Sequence, residues 1–101
     1  MQNITTTELA AMGDEATIVD VREADEFAGA RVDGATNVPL SELAGRLGDI
    51  PRDRTVYIMC LSGGRSARAT AFLEEQGYDV VNVLGGISQW HSDGLPIVMA
   101  A

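Results

Sequence analysis

The chain has no second cysteine to partner Cys60, the only one among its 101 residues. An internal disulfide is therefore excluded. A single histidine, His91, leaves too few soft ligands for a metal site, and no cofactor is expected. Lysine is absent; seven arginines face fifteen acidic residues, for a net charge of −8. A global field of that sign repels phosphates and anionic lipid, which argues against nucleic-acid and membrane-surface partners. No apolar stretch approaches the roughly 20 residues of a membrane helix. The start, Met1-Gln2-Asn3, lacks the basic and then apolar pattern of a secretory signal. The expectation is a cytoplasmic protein, with one unpaired thiol in a reducing compartment.

What is present fits one small domain over residues 1–101. Apolar residues make up 46% of the chain, enough for a core. Short apolar runs alternate with short helical patterns. Thr5-Thr6-Thr7-Glu8 reads as a capping box opening a helix that runs to Met12. Thr17 to Val21, Ala35 to Val38, Val56 to Met59 and Val80 to Val83 read as strands. Helices are expected over Glu23 to Gly29 with Phe27 inward, from Ser41 to a stop at Gly48, over 65–76, and around Ile87 and Trp90. The runs at Ile18, Val56 and Val80 are nearly continuous in apolar residues, which suits strands buried on both faces. The class implied is α/β, a small parallel sheet flanked by helices on both faces.

In such sheets, sites gather at the carboxyl ends of strands. Cys60 lies at one of them, after Val56-Tyr57-Ile58-Met59 and before Leu61-Ser62-Gly63-Gly64-Arg65-Ser66 and the longest helix. A strand, a glycine-bearing loop and a helix start aim backbone N–H groups at one spot. A sulfur there is held as thiolate, the nucleophilic form. Gly63 and Gly64 allow close backbone approach to a ligand. Arg65 and Arg68 oppose the dipole of the helix they open, at about 0.3–1 kcal/mol each. A bound anion relieves that cost; so does pairing of Arg65 with a carboxylate, and the charges alone leave both open.

The run Cys60-Leu61-Ser62-Gly63-Gly64-Arg65-Ser66 resembles the active-site loop of the rhodanese family, C-x-x-G-x-R-S. Asp20-Val21-Arg22-Glu23 with Glu26-Phe27 resembles the family's D-V-R-E…E-F segment. Gly34-Ala35-Thr36-Asn37-Val38-Pro39 resembles G-A-x-N-x-P, and Leu84-Gly85-Gly86-Ile87 with Trp90 resembles its L-x-G-G-x…W ending. The likeness spans Ile4 to Pro96. It implies a rhodanese-like sheet and sulfur transfer. By that resemblance the Cys60 thiolate would take a sulfane sulfur from a small anionic donor such as thiosulfate and pass it, through a persulfide, to cyanide, a thiol or a protein acceptor. Backbone N–H groups from Leu61 to Ser66 would stabilise the persulfide. Arg65 would hold the donor or order the loop, and Ser62 and Ser66 would add hydroxyls or cap the helix.

The chain departs from the family where Arg31 stands for a histidine and Asp33 for a proline. Arg31 either shifts donor preference or is a solvated loop residue. The uncharged Leu61 lowers positive charge at the mouth. His91 is better read as a surface residue than as a base for Cys60. Asp20 and Arg22 read as a structural ion pair, and Trp90 as core or pocket wall. Two competing functions remain. One is a phosphatase or arsenate reductase, whose loop needs one more residue than the four between Cys60 and Arg65. The other is a persulfide carrier or interaction module with little small-molecule turnover.

Overall fold

Residues 1–100 are described in a computed structural model. Five parallel strands form the central sheet: β1 (Gln2–Ile4), β2 (Thr17–Asp20), β4 (Thr36–Asn37), β5 (Val56–Met59) and β6 (Val80–Val83), in the order β1-β6-β5-β2-β4. The helices are α1 (Thr6–Ala11), α2 (Ala24–Gly29), α3 (Gly64–Glu75) and α4 (Gly86–Ser92). A separate antiparallel pair joins β3 (Ala30–Arg31) to β7 (Val98–Met99).

Strand side chains alternate between the two faces, and each face carries its own core. Val19 of β2 and Ile58 of β5 pack with Ala69 and Leu73 of α3 and with Leu43. Ile18 and Met59, their immediate neighbours, pack on the other face with Leu9 of α1 and with Ile87 and Trp90 of α4. Burial on both faces is why these strands read as nearly continuous apolar runs. The Trp90 indole N–H is satisfied by the carbonyl of Pro96, 2.8 Å away.

The capping box at α1 is present: Glu8 N–H donates to the Thr5 hydroxyl at 3.2 Å, and Thr5 N–H to the Glu8 carboxylate at 3.0 Å. A second box opens α2, with Glu23 at the cap and Glu26 at its third residue. The helix expected from Ser41 to Gly48 is corrected: two 3₁₀ segments, Leu40–Gly45 and Leu47–Asp49, occupy it. Gly45 lies inside that stretch, where glycine costs about 1 kcal/mol relative to alanine. The Ser41 hydroxyl, expected as the cap, donates instead to the Glu23 carboxylate at 2.8 Å. Too few residues remain to repay α-helix nucleation.

Asp20 and Arg22 form the buried ion pair expected of them. The guanidinium meets the carboxylate at 2.9 Å, with the Arg22 side chain 4% and the Asp20 side chain 0% exposed. Arg22 also donates to the Ala30 carbonyl at 2.6 Å, and Asn37 bridges the Asp20 and Arg22 carbonyls. This cluster fixes the turn after β2 beside the end of β5.

Candidate active site

Cys60 follows β5, the middle strand of the sheet, so neighbouring elements converge on it from both sides. Gly63 sits at φ +112° as the residue before α3, a conformation that favours glycine. This turn folds the loop back so that the Gly63 N–H donates to the Cys60 sulfur at 3.0 Å. The buried Ser66 hydroxyl oxygen lies 3.4 Å from the same sulfur. Burial pushes the Cys60 pKa up. Hydrogen bonds that the thiolate can accept from the Ser66 hydroxyl and from the Ser66, Gly63 and Ser62 N–H groups outweigh it, so the pKa is lowered from its ordinary value. The residue itself is only 1% exposed, while Leu61 and Ser62 beside it lie in the open. Gly64 is the first residue of α3.

The loop is held from the α4 side. Ile87 N–H donates to the Cys60 carbonyl and Ser88 N–H to the Leu61 carbonyl, both at 2.9 Å. Gly86, at φ +55°, lies so close that a β-carbon there would fall 2.4 Å from the Cys60 oxygen. The position of Gly86 is thus set by the Cys60 loop, a contact the sequence pattern alone does not reveal.

Of the two readings open for Arg65, the structure holds the carboxylate pair. Its guanidinium donates to both oxygens of Glu26, at 2.6 and 2.9 Å, and the pair joins α3 to α2. The Arg65 bond, the largest influence, holds the Glu26 carboxyl down at about 2. The dipole cost of Arg65 is thereby offset from within the chain. The sequence marks Glu26 as part of the E-F segment, but nothing in it singles out that carboxylate, among fifteen acidic residues, as the partner of Arg65. Because Glu26 is depressed in the folded state, its contribution is present above pH 4.5 and is lost as pH falls toward 2. Both side chains are 32% exposed, so the pair is worth about 1 kcal/mol or less. Glu26→Gln is expected to lower the melting temperature by a few degrees at pH 6. That gap should narrow as wild type is titrated down to pH 3; a gap independent of pH would show that charge pairing is not its cause.

Other sequence candidates lie apart from the sulfur. His91 is exposed in the last turn of α4, whose opposite end touches Cys60. Arg31 is on β3 with its guanidinium 5.5 Å from the centre of the Phe27 ring, so Phe27 is half-buried beneath it. A cleft of about 490 Å³ lined by Leu9, Ile18, Val32 and Trp90 opens near the start of β2 and does not include Cys60. Among the described residues no three potential ligands cluster as a metal site, and no helix is long and apolar enough to cross a membrane.

Residues 5–93 match the rhodanese-like domain. The chain belongs to that family. A rhodanese-related protein from Thermoplasma volcanium superposes with a TM-score of 0.93 at 34% identity, over 97% of this chain and 98% of that one. A protein from Allochromatium vinosum named sulfurtransferase is 42% identical over 86 residues, 84% of this chain and 80% of its own. The thiosulfate sulfurtransferase GlpE of Shewanella oneidensis is 40% identical over 75 residues, covering 73% of this chain and 74% of its own. In this rhodanese domain the parallel sheet and the helices on both faces agree with the class expected from the sequence.

Proposed function

We propose that the protein is a sulfurtransferase that carries a sulfane sulfur on Cys60, with thiosulfate as a donor and cyanide or a thiol as acceptor. The observation that carries this reading is the convergence of N–H groups on one sulfur at the carboxyl end of the central strand. Cys60 attacks the outer sulfur of thiosulfate; an S–S bond forms, the bond to the sulfonyl sulfur breaks, and sulfite leaves with the electron pair. The negative charge moves to the outer sulfur of the persulfide, where N–H groups of the loop stabilise it. Cyanide then attacks that outer sulfur, thiocyanate leaves, and the Cys60 thiolate returns. A thiol acceptor takes the sulfur in the same way and becomes a persulfide. The two half-reactions share one covalent intermediate, so ping-pong kinetics follow. Since Cys60 is buried, a donor reaches it only where the exposed Leu61 and Ser62 give way.

Incubation with thiosulfate is expected to add one sulfur atom to the intact protein by mass spectrometry. Cyanide should remove it, and Cys60→Ser should never acquire it. No gain with thiosulfate or any other sulfane donor would count against sulfur transfer altogether.

A carrier role is favoured by a separate observation. Leu61, next to Cys60 in the chain, is 42% exposed, and the Arg65 charge is already matched by Glu26. An exposed apolar residue beside the sulfur, with no unmatched positive charge, suits a protein acceptor better than a small dianion. A carrier loads fully in one turnover yet cycles slowly with cyanide, which separates it from an enzyme of small-molecule turnover. The phosphatase reading has less support, since four residues between Cys60 and Arg65 make a small loop. Cys60-dependent hydrolysis of an aryl phosphate would reverse that ranking.

A further inference from the structure

Behind the loop lies a buried polar chain that none of the preceding steps uses. Asn82 interrupts the apolar strand β6 at 4% exposure, on the α3 side of the sheet. Its Oδ1 is 2.6 Å from the Ser66 hydroxyl oxygen. Its Nδ2 donates to Oδ1 of Asn3, 3.1 Å away on β1, where the two asparagines are register partners. Bonding to Asn3 turns the Asn82 amide so that its oxygen, an acceptor only, faces Ser66.

Ser66 has one hydroxyl proton and three neighbours that could receive it. Asn82 Oδ1 is at 2.6 Å, the Gly63 carbonyl at 3.1 Å and the Cys60 sulfur at 3.4 Å. The shortest contact takes the proton. The resting order is then Cys60 S–H to Ser66 Oγ, Ser66 O–H to Asn82 Oδ1, and Asn82 N–H to Asn3 Oδ1. When Cys60 ionises, its proton leaves to solvent, and the Ser66 hydroxyl can donate to the sulfur only by releasing Asn82.

We propose that Asn82 is a positioning residue that competes with the Cys60 sulfur for the single Ser66 proton and so restrains thiolate formation in the unloaded protein. In the persulfide the negative charge sits on the outer sulfur, among the loop N–H groups and away from Ser66. The restraint acts on charge at Sγ alone, so it favours the loaded state over the free thiolate. The charged groups around the sulfur are Arg65 from α3, matched by Glu26, and Asp20 at the end of β2, matched by Arg22. On α4 the sole titratable group is the distant His91. None of these bonds to Asn82, so a change there reaches Cys60 through Ser66.

The test is the thiol pKa, read from the pH dependence of iodoacetamide alkylation, together with the melting temperature. Asn82→Leu frees the Ser66 proton and is expected to lower the thiol pKa by about one unit, the scale of one hydrogen bond to a charged group. Alkylation well below the pKa should rise only about threefold, because a more acidic thiolate is a weaker nucleophile. Ser66→Ala should raise the pKa, and adding Asn82→Leu to it should produce no further shift. Asn3→Ala, on an exposed edge-strand position, releases the Asn82 amide to turn and should move the pKa the same way by less. An unchanged or raised pKa in Asn82→Leu overturns the proposal, as does an equal shift with and without Ser66. If Asn82→Leu does not fold, Asn3→Ala decides, and an unmoved pKa there is fatal to the idea. A purely structural asparagine would change the melting temperature and leave the thiol pKa alone. Alkylation reports on the thiol whether or not sulfur is transferred, so this outcome is independent of the proposed activity.

Discussion

Cys60→Ser is expected to abolish sulfur transfer, with a loss on the order of 10⁴-fold or more, as for other covalent nucleophiles. A serine hydroxyl remains protonated where the thiol ionises, and oxygen cannot form the persulfide linkage. Melting temperature should change little, because serine preserves most of the volume and the sulfur is not part of a crosslink. The pH profile of the wild-type loading step checks the same claim. Hydrogen bonds within the loop hold the folded-state thiol pKa below its ordinary value, so the rate should climb with pH and level off earlier than for a free thiol. A group whose pKa is depressed by folding stabilises the native state above the unfolded pKa, and that contribution disappears as pH falls through the folded value. A loading rate that levels off no earlier than that of a free thiol, or a Cys60→Ser protein that retains turnover, would place the chemistry elsewhere.

Gly86→Ala is expected to damage both fold and site. The added β-carbon would lie 2.4 Å from the Cys60 oxygen and 2.7 Å from the Leu61 carbonyl carbon and oxygen. These are backbone atoms of the reactive loop, already fixed by two hydrogen bonds from Ile87 and Ser88, so no flexible side chain can move aside. At φ +55° the substitution also carries left-handed strain of about 1–2 kcal/mol. Gly94→Ala supplies the control, with φ +75° and nothing within 4 Å of its β-carbon. It should show the strain alone, a loss of several degrees in melting temperature at most. Gly86→Ala should lose clearly more and should also return the Cys60 pKa toward its ordinary value, since the loop N–H groups move off the sulfur. Equal melting losses in the two variants, with unchanged thiol acidity, would mean that Gly86 does not position the loop.

The sheet was legible where strands are buried on both faces. Thr17 to Val21, Val56 to Met59 and Val80 to Val83 are nearly continuous in apolar residues, broken mainly at Asp20 and Asn82, and all three regions pair as parallel neighbours. Strand β1 was not legible, because Gln2-Asn3-Ile4 is an edge strand with two exposed residues. Its evidence is backbone pairing with β6, which leaves no side-chain pattern. The two-residue strands β3 and β7 fail for the same reason. Between Ser41 and Gly48 the spacing of Leu43 and Leu47 mimicked a helix. The glycine at 45 and the diversion of the Ser41 hydroxyl to Glu23 favour 3₁₀ turns there.

At the site, order along the chain was enough to locate the sulfur. Cys60 follows an apolar strand, Gly63 opens a long helix, and the residues between them are too few to go anywhere but back over the sulfur. That much is local, because backbone geometry and helix polarity act within a few residues. Three other features required the folded chain. Glu26 matches Arg65 from 39 positions away, Asn82 turns the hydroxyl of Ser66 from 16 away, and Gly86 supports the loop from another helix. Each depends on distances of a few ångströms between segments that the sequence separates by whole elements. Hydrogen bonds and van der Waals contacts decay within that range, so only the packing of β6, α2 and α4 around β5 could select which carboxylate, which amide and which glycine would meet the loop.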